Sequence, residues 1–230
     1  MVINVKTARP TYQVWYHRAA STAPIMTATT TSRAADPYKS STFIGHSLWM
    51  VPSGAAFQAY SEIIHDTASK LGTFQFIPHI TLVAAILTGE ADVLEKSRRL
   101  ASQLAPYEFE FQSLSSRDAY FQCIYATMTL TPKVLTANAL ARQIFPERQS
   151  DPPYMPHLSL VYGDLSDTVK NEEIMPVLAN KIHQRSTETQ ILPVDSIQVW
   201  STQGDVKEWY MVETIPLTGS VTGERGTENG

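Results

Sequence analysis

An internal repeat constrains this chain more than any other feature. The order strand, helix, histidine-bearing strand, helix, strand can be read twice in the 230 residues. In the first copy, Gly45 to Val51 reads as a short strand ended by Pro52-Ser53-Gly54. A helix follows, with Phe57, Tyr60, Ile64, Ala68 and Leu71 on one stripe and Gly72 just past its end. Phe76 to Ile86 then reads as a buried strand, Gly89 to Ala105 as a helix, and Tyr107 to Phe111 as a strictly alternating strand. In the second copy, Tyr120 to Leu130 reads as a strand, and Thr131-Pro132 as a capped helix start. That helix runs to about Phe145, with Val134, Ala137, Ala141 and Ile144 inward. Tyr154 to Tyr162 reads as the next strand, and Ser166 to about His183 as a helical stretch that Pro176 should kink or split. Two last strands, Ile191 to Trp200 and Lys207 to Pro216, flank the turn Gln203-Gly204-Asp205.

Each copy carries one five-residue phrase of the form Pro-His-apolar-hydroxyl-Leu. The first is Pro78-His79-Ile80-Thr81-Leu82 and the second Pro156-His157-Leu158-Ser159-Leu160. Residues two apart in a strand point to one face, so each phrase pairs a histidine with a hydroxyl. His79 follows Pro52, and His157 follows Pro132, at nearly the same separation. A duplicated unit tends to set equivalent strands about a pseudo-twofold axis. The expected fold is therefore α+β, with two lobes and a cleft where His79 and His157 meet.

The other histidines have no such context. His17 lies in the N-terminal stretch, His46 near a strand start, and His65 and His183 on helices. His79 and His157 suit in-line displacement at phosphorus, because imidazole titrates near neutrality and can both take and give a proton. Thr81 and Ser159 would donate to phosphoryl oxygens, where charge accumulates. Zinc is a poor fit, since neither phrase has a Cys, Asp or Glu at ligand spacing. No metal or cofactor is expected. A serine–histidine triad is not supported either, for want of a G-x-S-x-G-like nucleophile turn.

The net charge of −4 gives no bulk attraction to long nucleic acid or to anionic membranes. The expected partner is a small anionic substrate, and the chain is expected to act as a monomer. No apolar run approaches the roughly 18 residues of a membrane helix. Residues 1–42 are rich in Ala, Ser and Thr, with Lys6, Arg9, Arg18, Arg33 and Lys39 against Asp36. They read as a disordered extension, or as an organelle import segment. A cytoplasmic location is expected otherwise. The body is placed at residues 43–216, with a disordered polar tail at 217–230.

On these residues the chain resembles the 2H (two-histidine) phosphoesterase superfamily, whose signature is a doubled H-x-[ST]-h. It is most similar to the plant and fungal cyclic phosphodiesterases. The supporting runs are Ser47-Leu48-Trp49 with Pro52, Phe76 to Thr81, Phe121-Gln122-Cys123, Thr131-Pro132, and Pro153 to Tyr162. The resemblance implies a bilobal fold of two antiparallel sheets with outer helices and a central cleft. It also implies metal-independent opening of ADP-ribose 1″,2″-cyclic phosphate and nucleoside 2′,3′-cyclic phosphates. The implied products are ADP-ribose 1″-phosphate and nucleoside 2′-phosphates, in the disposal of tRNA-splicing products. By the same resemblance His79 and His157 are catalytic, and Thr81, Ser159 and Tyr162 bind phosphate. Trp49, Phe121 and Gln122 would contact the rest of the substrate, although Trp49 and Tyr162 would also serve as ordinary core aromatics.

Plant members of the resembled family carry several cysteines, some paired. Here Cys123 is the single cysteine, which rules out control by an internal disulfide. Trp200 stands where a late cysteine would fall. Two alternatives stay open at this level. One is a 2H enzyme acting on RNA ends or 2′,5′-linked oligonucleotides, which should be more basic. The other is a non-catalytic cyclic-nucleotide binding module, which would need no histidine pair.

Overall fold

The computed structural model describes residues 42–220, which belong to one compact unit. The expectations for residues 1–41 and 221–230 lie outside the described residues. In chain order the elements are β1 (Thr42–Phe43), β2 (His46–Met50), α1 (Gly54–Leu71), β3 (Ile80–Ile86), α2 (Glu90–Ala101), β4 (Tyr107–Ser116) and β5 (Ile124–Met128). They continue with α3 (Pro132–Ile144), β6 (His157–Val161), α4 (Met175–Gln184), α5 (Ser186–Thr189), β7 (Ile191–Val194), β8 (Ser196–Ser201), β9 (Gly204–Asp205) and β10 (Tyr210–Pro216).

The fold is the duplicated two-sheet α+β arrangement. One antiparallel sheet has the order β10-β8-β2-β3 and the other β6-β5-β4-β7. The pairing of Ile80 with Leu158 joins β3 to β6, so the two sheets curl into one continuous run. The helices cross over: α1 from the first copy packs on β6 and β7, and α3 from the second copy packs on β3. One apolar core under these helices therefore contains Leu48, Ile64, Ile80, Phe109, Leu158 and Val199 from both copies. The opposite face carries a separate aromatic cluster built on Trp49, Tyr162 and Trp209.

Local chemistry explains where the elements start and stop. Gly72 ends α1 in the left-handed conformation, with φ of 67°, and its N–H returns to the Ala68 carbonyl. Thr131 caps α3 by accepting from the Val134 N–H, ahead of Pro132. Several boundaries differ from the sequence reading. Ile191 to Trp200 is two strands broken at Asp195, with β7 paired to β4 and β8 set between β10 and β2, and the last strand starts at Tyr210, not Lys207. Residues 76–79 are not paired, because Pro78 has no N–H to give a ladder, and β3 starts at Ile80. Tyr120 to Gln122 form a 3₁₀ turn, and the strand begins only at Ile124. Ahead of Pro176 the helix is replaced over Val169–Ile174 by a π-helical turn, and Pro176 sits in the first turn of α4. The body also runs past Pro216: Leu217 is buried, and the N–H groups of Thr218 and Gly219 donate to Ala101 and Leu104.

Candidate active site

The seam between β3 and β6 brings the two phrases together. Ile80 lies opposite Leu158 in an antiparallel pair. Carrying that register one residue either way sets His79 across from Ser159 and Thr81 across from His157. Ile80, Leu82, Leu158 and Leu160 are buried in the core. Alternation then turns His79, Thr81, His157 and Ser159 to the other face. Cross-strand neighbours on one face stand about 5 Å apart, which fits a phosphate between them. Tyr154, in the approach to the second phrase, donates to the Thr81 carbonyl at 3.0 Å and ties the two phrases again.

Each histidine is held by the same local bond. His79 Nδ1 lies 2.8 Å from the Ile77 carbonyl, and His157 Nδ1 lies 2.9 Å from the Met155 carbonyl. A carbonyl only accepts, so each Nδ1 carries a proton and each Nε2 is the working nitrogen. His79 Nε2 meets the Tyr162 hydroxyl at 3.4 Å, and His157 Nε2 meets the Gln122 amide nitrogen at 3.4 Å. Burial pushes the His79 imidazole down to about 4, with the bond to Ile77 opposing and nearby His157 adding to the shift. Burial lowers His157 too; its bond to Met155 opposes the shift and the Arg117 charge adds to it. Both rings therefore rest neutral near pH 7. An anionic phosphate between them would favour the imidazolium on one.

The remaining expected residues divide. Ser159 Oγ donates to the Phe121 carbonyl at 2.8 Å, so it must turn to reach a phosphate. Tyr162 is buried, stacked on Phe76 with centroids 3.8 Å apart, and its hydroxyl faces His79. Burial raises its phenol well above the usual value, so it stays protonated. Trp49 stacks on His79 at 3.6 Å and on Trp200 at 4.3 Å. Its two ring faces are thus covered by His79 and Trp200. In this arrangement Trp49 forms a wall against the His79 ring. Phe121 packs edge-on to Tyr162 and beside Trp209, at 5.3 and 5.4 Å. Gln122 reaches His157 through its side-chain amide.

Four neighbours escape the sequence reading. Phe43 sits edge-on to Phe121 at 5.7 Å, brought there by the pairing of β1 with β9. Trp209 closes the same aromatic wall. Tyr125 sets its edge against His157 at 5.2 Å. Arg117 donates to Gln122 Oε1 at 3.2 Å and to Met155 Sδ at 3.3 Å. None carries a local motif; Tyr125 alone could be found, from its alternation with Thr127 on β5. Among the described residues, no three His, Cys, Asp or Glu side chains group so as to hold a metal ion. Among them, too, no helix is long and apolar enough to cross a membrane.

The chain matches known proteins in sequence and in fold. The family of cyclic phosphodiesterase-like proteins matches residues 44–217. The cyclic phosphodiesterase of Arabidopsis thaliana is 30% identical over 127 residues, which span 54% of this chain and 68% of that protein. A Thermus thermophilus protein of known structure superposes with a TM-score of 0.53 at 14% identity, over 76% of this chain and 98% of its own. A solved phosphoesterase gives a TM-score of 0.50 at 12% identity, over 76% of this chain and 99% of its own.

Proposed function

Because the chain belongs to the cyclic phosphodiesterase-like family and is a phosphodiesterase of cyclic phosphates, we propose that its substrates are ADP-ribose 1″,2″-cyclic phosphate and nucleoside 2′,3′-cyclic phosphates. The products are ADP-ribose 1″-phosphate and nucleoside 2′-phosphates, and the role is disposal of tRNA-splicing products. The observation that carries this reading is the opposed pair His79-Ile80-Thr81 and His157-Leu158-Ser159. It sets two imidazoles and two hydroxyls on one sheet face.

In the proposed reaction, the cyclic phosphate sits between the two Nε2 atoms. One Nε2 takes a proton from water as its oxygen bonds to phosphorus. The opposite Nε2 gives a proton to the ribose oxygen as its bond to phosphorus breaks. Thr81 and Ser159 donate to the equatorial oxygens, and the Tyr162 hydroxyl stands beside them. The protein needs no metal for any of these steps. It works as a monomer on small substrates, with the aromatic wall of Phe121 and Trp209 against the sugar or base.

The test is incubation with 2′,3′-cyclic AMP and with ADP-ribose 1″,2″-cyclic phosphate, with products resolved by phosphorus NMR. Adenosine 2′-phosphate and ADP-ribose 1″-phosphate are expected. Adenosine 3′-phosphate, or no reaction with either compound, contradicts the reading.

A further inference from the structure

We propose that Arg117 and Gln122 are a positioning pair that keeps His157 unprotonated at Nε2, held in place from beneath by Lys170. The inference rests on the two-histidine reading of the site. It explains how two near-equivalent histidines are made unequal.

Hydrogen-bond polarity fixes where the protons lie around His157. A guanidinium only donates. Arg117 donates to one end of the Gln122 amide at 3.2 Å, so that end must be the oxygen. The amide nitrogen then faces His157 Nε2, 3.4 Å away. An amide nitrogen also only donates, so Nε2 must supply a lone pair. His157 Nδ1 meanwhile gives its proton to Met155. Both ring nitrogens are thereby assigned, and the ring is neutral. His79 is different, because the Tyr162 hydroxyl at its Nε2 can donate or accept. Either protonation state of His79 is satisfied. His157 is thus the base that receives the proton from water. His79, whose burial disfavours the charged ring, becomes the acid once the phosphate anion seats beside it and stabilises its imidazolium.

The pair is built on a support. The Arg117 N–H donates to the Gln122 carbonyl at 3.0 Å, so backbone and side chain grip the same residue. Below, Lys170 is only 2% exposed. Its ammonium donates to the Arg117 carbonyl at 3.2 Å and pairs with Asp167 at 2.8 Å. Ser116 bonds Asn171 from the same π-helical turn at 3.3 Å. The ion pair and the hydrogen bond offset the cost of burying that lysine and tie the turn to Arg117. Here the turn fixes the loop that aims Gln122. The titratable and charged groups facing His157 are Arg117 from that loop, His79 from the approach to β3 and Tyr125 from β5.

The test is an NMR titration of the His157 ring in the full chain, together with kinetics on 2′,3′-cyclic AMP. Gln122→Glu keeps the shape but puts an acceptor at Nε2, so the His157 midpoint is expected to rise by about 1 to 3 pH units. Arg117→Gln, at an exposed position, should raise it less, and Arg117→Lys should restore it. In both disruptive variants kcat at pH 6 should fall about tenfold, with KM within about twofold of wild type. An unmoved midpoint in Gln122→Glu and Arg117→Gln overturns the inference. So does a raised KM with unchanged kcat, which would make Arg117 a substrate contact. If the wild type does not open the cyclic phosphate, the functional reading falls while the midpoint still decides this one.

Discussion

At the scale of residues, the site turns on how deeply its titrating groups are buried. His79 is 5% exposed, and its imidazole sits near 4 instead of its ordinary 6.5. The unfolded chain therefore binds a proton between those values that the folded chain does not. The stability linked to His79 is complete above about pH 6.5 and is lost as pH falls toward 4, by roughly 3 kcal/mol. Denaturant unfolding of wild type and His79→Gln across pH 4 to 7 checks this: the variant's curve should be flatter at the acid end. The placement of this residue was legible from the sequence, since two matching phrases singled out both histidines and both hydroxyls, and the strand pairing sets those phrases side by side. The setting of Trp49 was not. Its indole is held between His79 and Trp200, and that sandwich depends on strand register that a single chain pattern does not encode. Arg117 was hidden for the same reason: it reaches His157 through Gln122, not through any spacing along the chain.

At the scale of elements, everything depends on the β3–β6 seam. Replacing Ile80 by Ala removes a fully buried side chain at the one residue pair that joins the sheets. A loss of about 2 to 5 kcal/mol is expected in chemical denaturation, with Ile80→Val costing about 0.5 to 1.5. Activity of the Ala variant should fall even where it remains folded, since the histidines flank that pair. Gly45 is a second control point. It has φ of 75°, and an added Cβ would meet the Ile86 carbonyl oxygen. Gly45→Ala is expected to lower Tm by several degrees, because both strain and the clash act at the start of β2. The sequence pattern placed nearly every helix and strand, because apolar periodicity and caps are local signals. It misjudged the starts of β3 and β5, the break between β7 and β8, and the π-helical turn before α4. Those depend on which backbone groups find partners across the sheet, and this is settled only by tertiary pairing.

At the scale of the molecule, duplication explains both the fold and the chemistry. The repeat order predicted two lobes, and the structure adds the crossover in which each copy's first helix covers the other copy's sheet. That exchange makes one core from two copies, so neither half is expected to fold without the other. The proposed two-histidine mechanism uses no metal, which makes a further prediction: a chelator such as EDTA should leave kcat unchanged, and a loss that added zinc restores would count against it. The central claim is that His79 and His157 act as a pair on one cyclic phosphate. The direct measurement is kcat for 2′,3′-cyclic AMP with wild type, His79→Ala and His157→Ala, each checked for native folding. Each single variant is expected to lose about 10² to 10⁴ in kcat. Full turnover in either folded variant would contradict it.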